Sequence, residues 1–168
     1  YPFEATEKLD GQSATYFLRK KGFGYEFGVC SRNLRKTHPD SSSWWKVAKK
    51  YDIENVLKKI VGDNEYVVLQ GEILGTGIQG NKYGVSDFMF YAFNLLYPNK
   101  TLSCKEMKPV LGEYLIETVP LLDGNFYLPD TVEEMIAIAE GTSALKNVQR
   151  EGVVVRNIIN EVSFKAIS

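Results

Sequence analysis

The chain has 168 residues, of which 44% are hydrophobic and 24% charged, proportions typical of one soluble globular domain. Its 20 Lys and Arg against 21 Asp and Glu give a formal net charge of −1, and its longest apolar run, Phe88 to Phe93, is six residues long. These values exclude a transmembrane protein, because a spanning helix needs about 18 apolar residues. They also exclude a protein that coats nucleic acid through bulk positive charge.

The cysteines and the first residues bear on the cellular compartment. Residues 1–10 contain acids and no apolar stretch, so no secretory signal is visible. Cys30 and Cys104 form neither a disulfide framework nor a metal-binding spacing, which indicates a reducing compartment. We therefore expect a cytoplasmic protein without a membrane partner, and the sequence leaves its oligomeric state open.

The charges are distributed unevenly along the chain. Residues 1–60 hold 12 basic and 7 acidic residues, a balance of +5, whereas residues 61–168 hold 8 basic and 14 acidic residues, a balance of −6. A near-neutral total can therefore conceal a basic face that attracts phosphates. A solvated surface whose charges segregate by chance explains the same counts equally well.

The first half of the chain predicts two strands followed by a long helix. Alternating aromatic and β-branched residues over 13–18 and 25–30 are typical of strands around a turn. The polar loop that follows ends in Ser43, which is expected to cap a helix beginning at Trp44. Apolar residues at helical spacing extend that helix towards Gly62.

The second half predicts further strands and two short helices. Strands are expected over 65–74, 88–97, 152–156 and 161–165, helices over 103–111 and 131–140, and a glycine-rich loop over 75–84. Asp130 or Thr131 can cap the last helix. No internal repeat or linker is visible, so the pattern favours one α+β domain built on antiparallel strands.

The first candidate site is the segment Glu7-Lys8-Leu9-Asp10-Gly11 at a strand end. A lysine nucleophile must lose its proton, and an ordinary lysine is neutral in only about one molecule per few thousand at pH 7. Burial or neighbouring cations are therefore needed to activate it. An exposed strand that ends in an Asp-Gly turn is the simpler explanation of this segment taken alone.

The segment Gly75-Thr76-Gly77-Ile78-Gln79-Gly80 matches the letters of a dinucleotide-binding fingerprint. That fingerprint requires a helix opening at the third glycine, so that its N-terminus faces a pyrophosphate. Residues 81–84 contain another glycine and no helical period. We therefore exclude the Rossmann interpretation and expect an exposed loop between strands.

Two carboxylates and one lysine stand within apolar strands. Glu72 and Glu151 each lie beside a glycine, and a buried carboxylate needs a cation, a metal or hydrogen-bond donors. An outward-facing acid in an alternating strand is an equally good explanation of either one singly. Lys165 is expected to be an exposed terminal lysine if taken alone, and His38, in a polar loop, receives no role.

Taken in order, these patterns resemble the covalent nucleotidyltransferases, the superfamily of ATP-dependent polynucleotide ligases and mRNA capping enzymes. The strongest resemblance is to the RNA ligases. Lys8-Leu9-Asp10-Gly11 is similar to the K-x-D-G nucleophile motif, and Glu151-Gly152-Val153-Val154 is similar to the acidic motif of the family. Further matches are Glu7, Ser31-Arg32-Asn33, Glu72, the loop 77–81, Phe93 and Lys165.

The resemblance implies a fold and a set of catalytic residues. The implied fold is an α+β nucleotidyltransferase domain of two antiparallel sheets with flanking helices and a nucleotide pocket between them. Lys8 is implied as the nucleophile, Arg32 as a contact of the substrate phosphate and Lys165 as a contact of the α-phosphate. Glu151 is implied in binding a divalent metal, Mg²⁺ or Mn²⁺.

The resemblance also implies an ATP-binding set. Glu7 is implied to read the adenine amino group, Glu72 to bind the ribose and Phe93 to stack on the base. The full implied set is Glu7, Lys8, Asp10, Gly11, Arg32, Glu72, Phe93 and Lys165. The residue chemistry agrees, since nucleotidyl transfer through a lysine needs an amine, cations around the phosphates and a metal held by acids.

The implied activity is that of an ATP-dependent RNA ligase, which forms lysyl-AMP, transfers AMP to an RNA 5′-phosphate and joins that end to a 3′-hydroxyl. A DNA ligase, a GTP-using capping enzyme and a non-catalytic RNA-binding module are the alternatives. We expect residues 1–168 to be a single nucleotidyltransferase core that lacks flanking N- and C-terminal segments. Two positions depart from the family pattern: Asn94 stands where an aspartate often follows the aromatic, and Lys165 is the only lysine in its motif.

Overall fold

The structure, a computed structural model, describes residues 3–157 and 162–168. Its strands are β1 Phe3–Lys8, β2 Gln12–Lys21, β3 Gly24–Cys30, β4 Tyr66–Leu74, β5 Met89–Tyr97, β6 Lys100–Thr101, β7 Glu117–Thr118, β8 Leu121–Phe126, β9 Gly152–Asn157 and β10 Val162–Ile167. Its α-helices are α1 Ser43–Lys50, α2 Ile53–Ile60, α3 Cys104–Gly112 and α4 Val132–Ala139. Within these residues, no helix is both long and apolar enough to cross a membrane.

The larger sheet has the strand order β3-β2-β4-β5-β6, with antiparallel pairing throughout. Side chains alternate along β2, so Ala14, Tyr16 and Leu18 are buried on one face. Helices α1 and α2 cover that face, with Val47 and Ile53 buried in the same core. The two-residue strand β7 pairs with β5 in parallel, a local exception to the antiparallel arrangement.

The smaller sheet has the strand order β10-β9-β1-β8 and is also antiparallel. Ala5, Val153 and Val155 on one face pack with Met135 and Ala139 of α4. Its other face points towards the larger sheet. The expected architecture of two antiparallel sheets with flanking helices is confirmed.

The long helix predicted from Trp44 to Gly62 is wrong, because the chain forms α1 and α2 with a break between them. Asp52 adopts a left-handed backbone conformation there, with φ 52°, which a short polar side chain tolerates. The break lets both short helices place apolar residues on the sheet. Ser42, not the expected Ser43, caps α1 through its side chain, which accepts a hydrogen bond from the Trp45 N–H.

Strand β8 was not expected from the sequence, because Leu121–Phe126 is mostly exposed and contains an Asp-Gly pair that is typical of a turn. It pairs with β1 in antiparallel orientation, and two register irregularities interrupt that pairing. These irregularities remove the alternation of a regular strand. Thr131 caps α4, as expected, and Ser103, where a helix was expected to begin, is the N-cap of α3. Glu161, the first residue of the last expected strand, lies outside the described residues.

Candidate functional site

A cavity of about 1020 Å³ is lined by residues of both sheets. Its lining includes every residue of the site implied by the sequence: Glu7, Lys8, Asp10, Gly11, Arg32, Glu72, Phe93, Glu151 and Lys165. These residues come from four strands and three connecting segments. The structure therefore brings the whole predicted set to one place, between the two sheets.

The smaller sheet places several side chains on the cavity through its register. Thr6 of β1 pairs with Val154 of β9, and Val154 pairs with Lys165 of β10, so these three residues form one row across the sheet. Lys8 lies two residues beyond Thr6 and therefore on the same face. Its cross-strand partner Gly152 allows close strand approach, because a Cβ there would lie 2.1 Å from the Ala166 carbonyl oxygen.

Lys8 and Glu151 form an ion pair at this end of the sheet. Lys8 Nζ donates a hydrogen bond to Glu151 Oε1 at 2.5 Å. Glu151 Oε2 is buried and has no hydrogen-bond partner among the described residues. A buried oxygen that lacks a donor is unusual and calls for a ligand or cation. One carboxylate thus orients the lysine and presents a second oxygen to the cavity side.

Glu72 approaches the lysine from the larger sheet. Its Oε2 accepts a hydrogen bond from the Gly11 N–H at 3.1 Å. Burial raises the pKa of Glu72 to about 7, and the Gly11 N–H and the positive charge of Lys8 oppose this rise. A side chain at position 11 would not fit, since a Cβ would lie 2.3 Å from the Ile73 carbonyl oxygen. Glycine is therefore required where β1 leads into β2.

The glycine-rich loop positions the segment that carries the lysine. Tyr83, which is buried, accepts a hydrogen bond from the Asp10 N–H at 2.9 Å through its hydroxyl oxygen. Lys82 Nζ lies 3.5 Å from the Asp10 carboxylate. A short 3₁₀ turn, Gln79–Asn81, replaces the helix of a dinucleotide fingerprint. The loop expected from the sequence is thus present, but the sequence did not identify Lys82 or Tyr83 as its contacts to the motif.

Phe93 faces the cavity because β5 contains a bulge. Gln70 pairs with Asn94 and Gly71 pairs with Ala92, so Phe93 is an extra residue on that strand. The bulge changes the alternation, and Phe93 and Asn94 consequently both line the cavity. An irregularity of this kind follows from pairing with β4 and leaves no local mark in the sequence.

Glu7 is buried and points away from Lys8, as neighbouring strand residues do. Its carboxylate accepts hydrogen bonds from Ser143 Oγ at 2.6 Å and from the Ala144 N–H at 2.7 Å. The loop that contains Ser143 and Ala144 was not singled out in the sequence. Each carboxylate oxygen has two lone pairs, so Glu7 retains acceptor capacity at the cavity edge.

Arg32 and Lys165 supply positive charge to the cavity wall. Both side chains are exposed, and neither forms an ion pair with any described residue. Arg32 follows the end of β3, whereas Lys165 lies within β10. The two cations therefore remain available to an anionic ligand such as a phosphate.

A further ion pair, between Arg156 and Glu4, was missed in the sequence and lies at the cavity wall. Arg156 Nε and Nη2 donate to Glu4 Oε1 at 3.0 and 2.6 Å, and Nη1 hydrogen-bonds to Asn94 Oδ1. Glu4 Oε2 also accepts the Cys104 N–H at the start of α3, at 2.9 Å. This network connects both sheets and a helix. In the sequence, the only indication of this network was an arginine, Arg156, at the end of the apolar segment 152–156.

The donor set fits a divalent cation that also contacts a ligand. Among the described residues, no group of three or more His, Cys, Asp and Glu side chains could hold a metal by itself. Mg²⁺ is usually bound by one or two carboxylates, several waters and substrate phosphates. The unpartnered Oε2 of Glu151 matches that requirement.

Comparison with known proteins agrees with this geometry. The family model for RNA ligase matches residues 1–167. Solved structures of a Naegleria gruberi RNA ligase are similar to the chain: an apo mutant (33% identity, TM-score 0.85), a mutant with ATP and Mn (32%, 0.86) and a complex with PPi (33%, 0.85). Each match covers 99% of this chain and 48% or 49% of the other, so the chain spans about half the length of those structures. No curated protein matches it. The chain belongs to the RNA ligase family.

Proposed function

We propose that residues 1–168 form the nucleotidyltransferase core of an ATP-dependent RNA ligase that works through a lysyl-AMP intermediate. The observation that carries this proposal is the Lys8–Glu151 ion pair inside a cavity that Arg32 and Lys165 also line. Such a cavity offers a nucleophile, a carboxylate and two cations that form no ion pair with a described residue. Membership of the RNA ligase family supports this assignment of chemistry to the cavity.

In the first step, Lys8 Nζ attacks the α-phosphorus of ATP. The N–P bond forms as the bond to the β-phosphate oxygen breaks, and pyrophosphate leaves. The proton on Nζ must depart before the attack, and Glu151 Oε1 is an acceptor within hydrogen-bond distance. Arg32 and Lys165 stabilise the charge that develops on the phosphate oxygens.

Nucleotide recognition is proposed for the remaining cavity residues. Phe93 stacks on the adenine ring, and Glu7 accepts a hydrogen bond from its amino group. Glu72 binds the ribose hydroxyls, while Asp10 and Gly11 hold the segment that carries the nucleophile. Naegleria gruberi RNA ligase has been solved with ATP and Mn and with AMP and Mn, which supports ATP as the nucleotide of this chain.

A divalent metal, Mg²⁺ or Mn²⁺, is proposed to be held by Glu151 through Oε2. When bound, it neutralises phosphate charge and favours departure of pyrophosphate. Glu151 would then bind the metal through Oε2 while its Oε1 orients Lys8. This arrangement would place the nucleophile beside the phosphate that it attacks.

In the second step, an oxygen of the RNA 5′-phosphate attacks the phosphorus of lysyl-AMP, which releases Lys8 and leaves AMP on the RNA end. In the third step, an RNA 3′-hydroxyl attacks the 5′-phosphate, AMP leaves, and a phosphodiester bond joins the strands. RNA ends are therefore the proposed partners.

The unbridged cysteines, Cys30 and Cys104, support a reducing compartment such as the cytoplasm.

The test is incubation with ATP labelled at the α-phosphate and Mg²⁺. A covalent label is expected on the wild type and on Lys49→Ala, a control at an exposed lysine of α1, and it should be lost in Lys8→Ala. A label that survives in Lys8→Ala would overturn the assignment of the nucleophile. Absence of label from every variant, with RNA binding retained, would instead support the non-catalytic RNA-binding module.

Nucleotide and strand preference separate the alternatives within the superfamily. Unlabelled ATP should suppress labelling more strongly than GTP, whereas a capping enzyme would show the reverse. Nicked RNA should be sealed faster than nicked DNA of the same sequence. Faster sealing of DNA would favour the DNA ligase.

A further inference from the structure

Helices α1 and α2 cover one face of the larger sheet, and none of the helices in the described residues covers its opposite face. Because strand residues alternate, the residues opposite the helix-covered core share this face. We call it the open face, and its members are Thr15, Phe17, Arg19, Lys21, Gly24, Glu26, Gly28, Cys30, Tyr66, Val68, Gln70, Asn94 and Leu96. Their cross-strand pairing places them in successive rows along β2.

The open face is continuous with the nucleotide cavity. Asn94 and Leu96 line the cavity, and they also belong to the two rows of the open face that lie nearest to it. In the first row, Asn94 Nδ2 donates to Gln70 Oε1 at 2.9 Å, and Gln70 Nε2 donates to Thr15 Oγ1 at 3.3 Å. A ligand that leaves the cavity along this sheet therefore first meets a row of polar side chains.

The second row is apolar and includes an aromatic ring that lies against the sheet. Phe17 pairs with Gly28, and a Cβ at Gly28 would lie 2.0 Å from the Phe17 ring, so the glycine leaves room for it. The Arg35 guanidinium lies 5.3 Å from the centroid of that ring. Val68 and Leu96 complete the row. Aromatic and guanidinium planes of this kind are surfaces on which nucleic acid bases stack.

The rows farthest from the cavity are basic. Arg19, Lys21 and Arg35 surround Glu26, with Lys21 and Arg35 at 3.9 and 3.2 Å from its Oε2 and Arg19 bonded to Oε1. Three cations against one carboxylate leave a local charge of +2. Arg19 and Lys21 are exposed, so this charge can attract phosphates.

We propose that the open face binds the RNA strand that leads away from the end held in the cavity. The proposal rests on the proposed function, because that function places an RNA end in the cavity. From Ser13 at the cavity to Lys21, β2 spans about 26 Å, at about 3.3 Å for each of its residue steps. At the ~3.4 Å axial spacing of nucleotides in a duplex strand, this corresponds to about eight nucleotides.

The test compares binding of a long and a short RNA to the full chain. The probes are 5′-phosphorylated RNAs of about 20 and about 4 nucleotides, of which only the first reaches the basic rows. Arg19→Ser/Lys21→Ser should bind the long RNA about 10-fold more weakly at low salt. The slope of log affinity against log salt should fall by about 1.4, and binding of the short RNA should not change.

A matched control is Lys49→Ser/Lys58→Ser, which removes the same charge from α1 and α2 on the other side of the sheet. It should bind both RNAs like the wild type. Glu26→Gln, which removes the acid facing the three cations, should bind the long RNA more tightly. The proposal is overturned if Arg19→Ser/Lys21→Ser binds the long RNA like the wild type, or if the control loses as much affinity.

Formation of lysyl-AMP by the same variants separates this proposal from the proposed function. Arg19 and Lys21 lie outside the cavity lining, so labelling by ATP should equal that of the wild type. If the wild type forms no adduct, the proposed ligase function fails, while the length dependence of RNA binding still decides the role of the open face. An adduct formed normally, with no length-dependent binding, contradicts the open-face proposal alone.

Discussion

Glu151 accepts a hydrogen bond from Lys8 Nζ at 2.5 Å through one oxygen, while its other oxygen is buried without a partner among the described residues. Lys8 is the last residue of β1, and Glu151 directly precedes β9. These two strands are neighbours in the smaller sheet. A carboxylate in this position can orient the lysine and bind a cation at the same time.

Glu151→Gln should lower the rate of lysyl-AMP formation by about 100-fold, because an amide is a poor ligand for a hard cation and cannot accept the lysine proton. The measurement is the initial rate of labelling over a series of Mn²⁺ concentrations. Glu133→Gln, at an exposed acid of α4, is the control and should label normally. A Glu151→Gln rate and metal dependence equal to those of the wild type would contradict a metal role.

The raised pKa of Glu72 predicts a pH-dependent stability. Burial raises this pKa from 4.5 to about 7. Between pH 4.5 and pH 7, therefore, Glu72 is protonated in the folded state and ionised in the unfolded state. Stability from this group is therefore present below about pH 4.5 and lost as the pH rises to about 7, by at most about 3 kcal/mol.

Glu72→Gln should remove that pH dependence, since glutamine does not ionise and can still accept the Gly11 N–H. Urea unfolding at pH 5 and pH 8 measures the effect. The variant should lose less stability than the wild type between the two values. Equal losses in both proteins would show that Glu72 titrates normally.

Tyr83 holds the segment that carries Lys8 through its hydroxyl oxygen, which accepts a hydrogen bond from the Asp10 N–H. Tyr83→Phe leaves that N–H without its acceptor and should cost about 1–2 kcal/mol of unfolding free energy. Since Asp10 is two residues from Lys8, labelling by ATP should also slow. Tyr127→Phe, at an exposed tyrosine, serves as the control in both measurements. Slower labelling at unchanged KM for ATP would indicate a positioning role, and an unchanged rate would refute it.

The buried pair of Arg156 and Glu4 predicts a strong coupling. Arg156→Met leaves the Glu4 carboxylate buried without its cation and should destabilise the fold by about 3–5 kcal/mol. Glu4→Gln/Arg156→Met removes both charges and should recover part of this loss. Urea unfolding of the wild type, the single variants and the double variant gives the coupling energy. Additive losses would mean that the two side chains act independently.

Local sequence patterns predicted the strands with regular alternation and the order of the motifs. Glu72 and Lys165 could be placed on strands because their neighbours alternate or form short apolar runs, and Lys8 could be placed at a strand end. Glu151, which was expected within a strand, instead lies directly before β9. The prediction that these four residues converge on one cavity came from the family resemblance and not from periodicity. The helix break at Asp52 was missed because one left-handed residue does not disturb the apolar spacing.

Features that depend on pairing between distant strands could not be predicted. The bulge at Phe93 exists only relative to β4, and the contact of Tyr83 with Asp10 joins residues far apart in the chain. The Arg156 network likewise requires three elements to be in place before its hydrogen bonds form. Register and loop conformation determine these contacts, and neither is encoded by local propensity.

Lys8 is tested most directly as the site of lysyl-AMP by peptide mapping with mass spectrometry after incubation with ATP and Mg²⁺. The peptide containing Lys8 should gain the mass of one AMP group and lose it after acid treatment, as expected for a phosphoramidate. Addition of a 5′-phosphorylated RNA should remove the group from the protein and transfer it to the RNA. An AMP group on another residue, or a Lys8 peptide that remains unmodified while RNA is adenylylated, would contradict Lys8 as the nucleophile.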